Sequence, residues 1–187
     1  MTGRSALAAV TAVLLMSGGG QAQAAVSIFS NGLADFCSHF ARDGRDDMAA
    51  LTTCNLSIET ESLSREDRAG TLVNRGIIHL RRKDYKDARS DFDRALKIDP
   101  ELGEAWVNRG ASMLAEKRYA EALAEIDKGL RYGTDEPEKA YYNRALANEG
   151  LDDMKAAYFD YLKALQLKPD WQVPAQELTR FTVVRPE

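Results

Sequence analysis

Histidine and cysteine are scarce in this chain, two of each among 187 residues, and the scarcity removes several classes of chemistry. Neither His39 nor His79 has a partner at zinc-ligand spacing, and there is no His-Glu-x-x-His run, so no metal and no cofactor is expected. Cys37 and Cys54 stand seventeen residues apart, too few for a disulfide scaffold and too far apart for a Cys-x-x-Cys redox pair. Nucleophile elbows of the form Gly-x-Ser-x-Gly and phosphate-cradling glycine loops are missing too. The acidic residues fall on solvated helix faces rather than in pairs. These gaps argue against an enzyme.

Charge of one sign is not in excess. The 25 basic and 29 acidic residues are interspersed and sum to -4, with no basic stripe to follow a phosphate backbone, which argues against a nucleic-acid partner. Long apolar runs are also lacking. The one notable run, Ala6 to Met16, is 11 residues. As a helix it would measure about 17 Å, short of the roughly 30 Å of a hydrocarbon core. Arg4 precedes it, Ser17 to Gly20 break it, and Ala22-Gln23-Ala24 offers small residues for cleavage. That order is the pattern of a secretory signal peptide over 1–24, with an apolar helix of the mature core as the alternative. The expectation is a periplasmic or secreted protein without stable membrane insertion.

What the chain does have is a period. Gly76, Gly110 and Ala145 follow one another at intervals of 34 and 35 residues, and Pro100 and Pro169 stand 69 apart. Units counted from residues 69, 103 and 138 each split into two halves. In the first, Leu72, Gly76 and His79 step by four and three, as do Ala88, Phe92 and Ala95, the spacing of a helical face. Gly76 and Gly110 sit mid-helix, where glycine costs about 1 kcal/mol against alanine, and close approach of a neighbouring helix explains them. Ala88, Ala122 and Ala157 match in the second halves, with the larger Phe92, Ile126 and Tyr161 between the small residues. Pro100 and Pro169 are expected to stop the second helices.

On these residues the chain resembles the tetratricopeptide repeat family. The matching positions are Leu72, Gly76, Tyr85, Ala88, Phe92, Ala95 and Pro100, then Trp106, Gly110, Tyr119, Ala122, Ile126 and Gly129, then Tyr141, Ala145, Met154, Ala157, Tyr161, Ala164 and Pro169. Ala145, Gly129 and Thr134 depart mildly from the family pattern. The resemblance implies an all-α fold, an α-α superhelix or solenoid of antiparallel helix pairs, with three repeats over 69–169. A degenerate N-terminal helix pair is expected over 31–68, carried by Ala34, Cys37, Ala41, Ala50, Leu51, Cys54 and Ile58. A C-terminal capping helix and tail are expected over 170–187, because an open terminal repeat exposes apolar surface.

Family geometry further implies a concave face lined by the first helices. The partner-binding residues it nominates are Val73, Asn74 and Ile77, then Val107, Asn108 and Ala111, then Lys139, Tyr142, Asn143 and Leu146. One asparagine per layer, flanked by apolar residues, suits a peptide backbone. The alternative is that the asparagines bond to their own helices. The family's carboxylate-gripping mode is matched only in part: Val73 and Ile77 stand where lysine and asparagine are expected, and Asn143 where arginine is expected. A free carboxylate is therefore not the expected ligand.

Two structural sets complete the reading. Arg75, Arg109 and Arg144 share the seventh place and Asp91, Glu125 and Asp160 the twenty-third, read as ion pairs within or between units. On the family alignment Cys37 and Cys54 face each other across a helix pair, which implies a disulfide, with two buried thiols as the alternative. The expected function is an exported, non-enzymatic adaptor binding a protein or peptide segment. The alternative is a structural subunit whose surface mediates self-association or complex assembly.

Overall fold

The computed structural model describes residues 32–181. The proposed signal peptide, 1–24, and the last six residues of the tail lie outside them. The described residues form an all-α solenoid of helices α1 (Leu33–Arg42), α2 (Met48–Thr60), α3 (Arg65–Arg81), α4 (Tyr85–Ile98), α5 (Gly103–Ala115), α6 (Tyr119–Tyr132), α7 (Pro137–Gly150), α8 (Met154–Leu167) and α9 (Gln172–Leu178). They pack as antiparallel pairs α1/α2, α3/α4, α5/α6 and α7/α8, each pair stacked on the next, with α9 against α8. No described helix is long and apolar enough to cross a membrane.

Local chemistry sets the helix ends. Ser64 opens α3 by accepting a hydrogen bond from the Asp67 N–H at 3.0 Å, and Asp47 and Asp153 do the same for α2 and α8. The Ser64 cap starts α3 at Arg65, so residues 65–68, expected to belong to the degenerate pair, are the first turn of the first repeat. Pro137 occupies the first turn of α7, where its missing N–H costs nothing. The second helices α4 and α8 end two residues before Pro100 and Pro169. Lacking a proline, α6 ends at Gly133, whose φ of +96° leaves the helix.

One turn recurs inside every pair. Lys83, Lys117 and Asp152 adopt φ of 67°, 61° and 63°, and Gly44 adopts 77°. The next residue's N–H then closes back on the first helix: Asp84 on His79, Arg118 on Met113 and Asp153 on Asn148, all at 2.9 Å, and Arg45 on Phe40 at 3.0 Å. The leading pair therefore keeps the turn of the repeats, although its sequence has drifted and Gly44 stands 39 residues before Lys83.

Packing within each pair follows a small-against-large rule. A Cβ on Gly76 would lie 2.5 Å from the Phe92 ring, and one on Gly110 would lie 2.7 Å from Ile126 Cγ1. Ala145 and Tyr161 pack together in the third unit. In the leading pair the same locus holds the Cys37–Cys54 disulfide, with Cα atoms 4.9 Å apart and both residues fully buried. A covalent link replaces the interlock where neither partner is large. Gly129 follows the same logic, since a Cβ there would meet Val107 Cγ2 at 2.5 Å.

Between pairs the arginines act as rungs. Arg75 donates through Nε and Nη2 to Asp91 at 2.7 and 2.5 Å, and Arg144 to Asp160 at 2.9 and 2.7 Å. Arg109 donates in the same way to Glu125. The third nitrogen, Nη1, reaches back to the preceding pair: Arg75 to Asn55 at 2.7 Å, Arg109 to Asp93 at 2.5 Å, Arg144 to Asp127 at 2.9 Å. Each guanidinium thus joins its own two helices and the neighbouring pair, which fixes register more than it adds net stability.

The ladder stops at both ends. Phe36 holds the arginine's place in α1, and Leu162 holds the acceptor's place in α8. Counting on by 34 from residue 138 starts a further unit at 172, and its seventh place is Leu178, packed with Phe181 against the Ala145–Tyr161 cluster. The cap α9 is therefore a shortened first helix, in phase, with apolar contact in place of an ion pair. It is seven residues long, Gln172–Leu178, with Pro174 in its first turn.

Candidate peptide-binding groove

The first helices form the inner layer of the stack. α1 touches α3, α3 touches α5 and α5 touches α7, whereas no comparable contact joins α4 to α6 or α6 to α8. Helices that meet along one layer and spread along the other curve the stack toward the first layer.

On that layer Asn74, Asn108 and Asn143 share the sixth place of successive helices, all half-buried. Asn108 Nδ2 donates to the Glu104 carbonyl at 2.8 Å, one turn back on its own helix, which occupies one of its two donors. Ile77, Ala111 and Leu146 are half-buried beside the asparagines.

Two nominated residues are not available. Val73 and Val107 are each only 5% exposed. Val73 packs with Leu72, Phe92 and Leu96, and Val107 fills the space left by Gly129. Their surface belongs to the core, so they offer a partner almost nothing. Lys139 is exposed but engaged in an ion pair with Glu136. The Tyr142 ring lies 5.1 Å from Trp171 and 5.7 Å from Tyr161, so the cap shields one of its faces. Burial pushes the Tyr142 hydroxyl above its ordinary pKa, and Glu177 and Glu149 add to the effect. The same causes, burial first, raise Tyr161, whose buried hydroxyl has no hydrogen-bond partner among the described residues.

At the far end of this layer a cleft of about 440 Å³ opens between α5 and α7. Leu114, Tyr119, Leu146 and Met154 line it, with Glu149 and Arg180 at the edge. Arg180 donates to Glu149 at 2.7 Å and pairs with Glu177 at 2.5 Å. The hydrogen bond from Arg180 to Glu149 is the main reason its guanidinium is held above its ordinary pKa. Gly150 borders the cleft, and a Cβ there would collide with the Tyr119 ring. Of the nominated residues only Leu146 lines it. Tyr119 and Met154 share the seventeenth place, which marks them as packing residues in the repeat pattern, and nothing in the repeat pattern pointed to Arg180 from the tail.

A tetratricopeptide repeat model matches residues 69–102, and a second matches 138–170. The chain carries tetratricopeptide repeats. Solved structures agree with this tetratricopeptide fold. MamA from residue 41 to its end, from Desulfovibrio magneticus RS-1, is 26% identical with a TM-score of 0.60, over 78% of this chain and 79% of that one. The Arabidopsis OM64 TPR domain is 22% identical with a TM-score of 0.58, over 63% and 96%. The first TPR of Spaghetti (RPAP3), bound to the HSP90 peptide SRMEEVD, is 23% identical with a TM-score of 0.56, over 60% and 88%. No curated protein matches the chain. Among the described residues no three His, Cys, Asp or Glu side chains gather to hold a metal.

Proposed function

We propose that this tetratricopeptide protein is an exported, non-enzymatic adaptor that holds a protein or peptide segment along the inner layer of α3, α5 and α7. The row of half-buried Asn74, Asn108 and Asn143 with Ile77, Ala111 and Leu146 carries this reading. Amides would hold the backbone of an extended segment, and the apolar residues would supply contact area. A related fold, the first TPR of RPAP3, is seen with a bound peptide, which supports a peptide as the ligand class. Export is supported by the N-terminal sequence and by the buried Cys37–Cys54 disulfide, a bond that persists in oxidising compartments. The test is affinity capture from periplasmic extract with wild type and with Asn74→Ala plus Asn143→Ala. The expected result is loss of the captured partner with the melting temperature unchanged, and an unchanged set of partners would sink the groove.

Self-association is a second reading, favoured by one observation. Phe159, on α8, is 56% exposed, and Val173, on α9, is 41% exposed. Sedimentation at micromolar concentration separates the two. A monomer removes this second reading, and a dimer lost in Phe159→Ser establishes it.

A further inference from the structure

The cleft at the end of the inner layer has a chemistry more specific than the groove around it. Its walls are apolar and adaptable: Leu114 and Leu146 are half-buried, the Tyr119 ring lies over Gly150, and the Met154 thioether sits at the rim, 49% exposed. At about 440 Å³ it falls within the range of small-ligand pockets, so a single apolar side chain enters it with room to spare. Its charged lining, Glu149 with Arg180, is balanced in itself, but Arg180 is shared with a second carboxylate just outside the lining. Glu149 and Glu177 share the single Arg180, leaving one negative charge in excess beside an apolar hollow. Asn143 stands three residues before Leu146, on the same helical face, so a segment held by that amide passes over the opening.

The geometry points to an anchor subsite for one large unbranched or γ-branched apolar side chain, leucine or methionine, in a segment whose neighbouring residue is basic. The hollow takes the side chain, and the excess charge of the Glu149–Arg180–Glu177 cluster selects the flanking cation. This rests on the groove reading above. It differs from it by fixing where the segment is anchored and with what chemistry.

The test uses the full mature chain and fluorescein-labelled nonapeptides blocked at both ends, with a central Lys-Leu-Lys among serines and glycines, read by anisotropy. Replacing the central leucine by alanine, or both lysines by glutamate, is expected to weaken binding about tenfold. Leu146→Asp is expected to weaken it as much, and Met154→Asp, at an exposed position that leaves the fold intact, severalfold. Arg180→Gln is expected to tighten binding of the lysine peptide about threefold and steepen its salt dependence. No binding of the leucine peptide to wild type overturns the subsite, as does equal binding of the alanine peptide. If Asn74→Ala plus Asn143→Ala releases the captured partner while Met154→Asp and Leu146→Asp do not, the subsite fails and the groove stands. If none of the four substitutions releases it, both fail.

Discussion

The leading helix pair and the three pairs behind it solve the same packing problem with different chemistry. In the repeats, a glycine or alanine lets Phe92, Ile126 or Tyr161 cross between two helices, and an arginine rung ties the pair to its neighbour. In the leading pair, Cys37 and Cys54 occupy the crossing, and Phe36 stands where the rung would begin. A repeat with neighbours on both sides can distribute its stability over them. Among the described residues the leading pair has one neighbour, and it holds its own two helices by a covalent bond.

The largest effect that tests this contrast is removal of a rung. Asp91 is 4% exposed in its side chain and accepts two hydrogen bonds from Arg75. Asp91→Ala strands a largely buried guanidinium, at a cost of about 3 kcal/mol. Urea denaturation should show the loss in the midpoint for the whole stack, since Arg75 also holds Asn55 of the leading pair. A cost no larger than that of a surface substitution would mean the rungs do not set the register.

Similar in size but confined to one pair is the double substitution Cys37→Ser with Cys54→Ser. Opening a loop of seventeen residues removes about 3 kcal/mol, felt only by the pair it closes. Amide exchange should speed up throughout α1 and α2 while α5 to α8 keep their protection. Uniform loss of protection along the stack would show that the leading pair is no separate unit.

Smaller again is the crossing itself, which carries its own control within one helix. Gly76→Ala pushes a Cβ against Phe92 and should cost about 1–2 kcal/mol. Gly70→Ala, in the same α3, meets nothing within 4 Å and should stabilise by up to about 1 kcal/mol. Thermal melts of the two variants should move in opposite directions.

The solenoid was legible because its signal is the spacing of small residues, which survives single departures such as Ala145 in the place of glycine. The seventh and twenty-third places also announced themselves. Their third partner did not: Asp93 and Asp127 stand 34 residues apart, but Asn55 stands 38 before Asp93 and is no acid, and an acid on a polar face looks like any solvated charge. The burial of Val73 and Val107 could not be read either. It depends on how closely α5 approaches α6 at Gly129 and how α3 is flanked by Phe92 and Leu96, which are properties of the pair and not of the helix. The cleft was hidden for a related reason. Its wall is completed by Arg180, which lies outside the period, and Tyr119 looked like packing. The start of α3 at Arg65 was present in the sequence as Ser64 and Asp67, three apart, a cap that the repeat count overrode.

The smallest test bears on the other device peculiar to the leading pair. Gly32, at the start of α1, has no side chain to cap the helix, and Glu61 from the end of α2 does so instead. Its carboxylate accepts from the N–H groups of Leu33 at 2.6 Å and Ala34 at 2.9 Å, and from Ser57 Oγ at 2.6 Å. Partial burial pushes its pKa up, but these three donors outweigh it and hold the group below its ordinary value of 4.5. A carboxyl depressed on folding stabilises the folded state in full above its unfolded value and loses that contribution as pH falls through the folded one. The contribution is no more than about 1 kcal/mol after solvent screening. Between pH 5 and pH 3, exchange of the α1 amides, corrected for intrinsic rate, should accelerate relative to those of α7, whose own first turn has no side-chain cap, the Glu104 carboxylate of α5 accepting only from the Asp135 N–H before that helix begins. In Glu61→Gln, which keeps an acceptor but no charge, the difference between the two helices should no longer change with pH. If α1 and α7 respond alike in the wild type, the cap from α2 is not what holds the first helix in place.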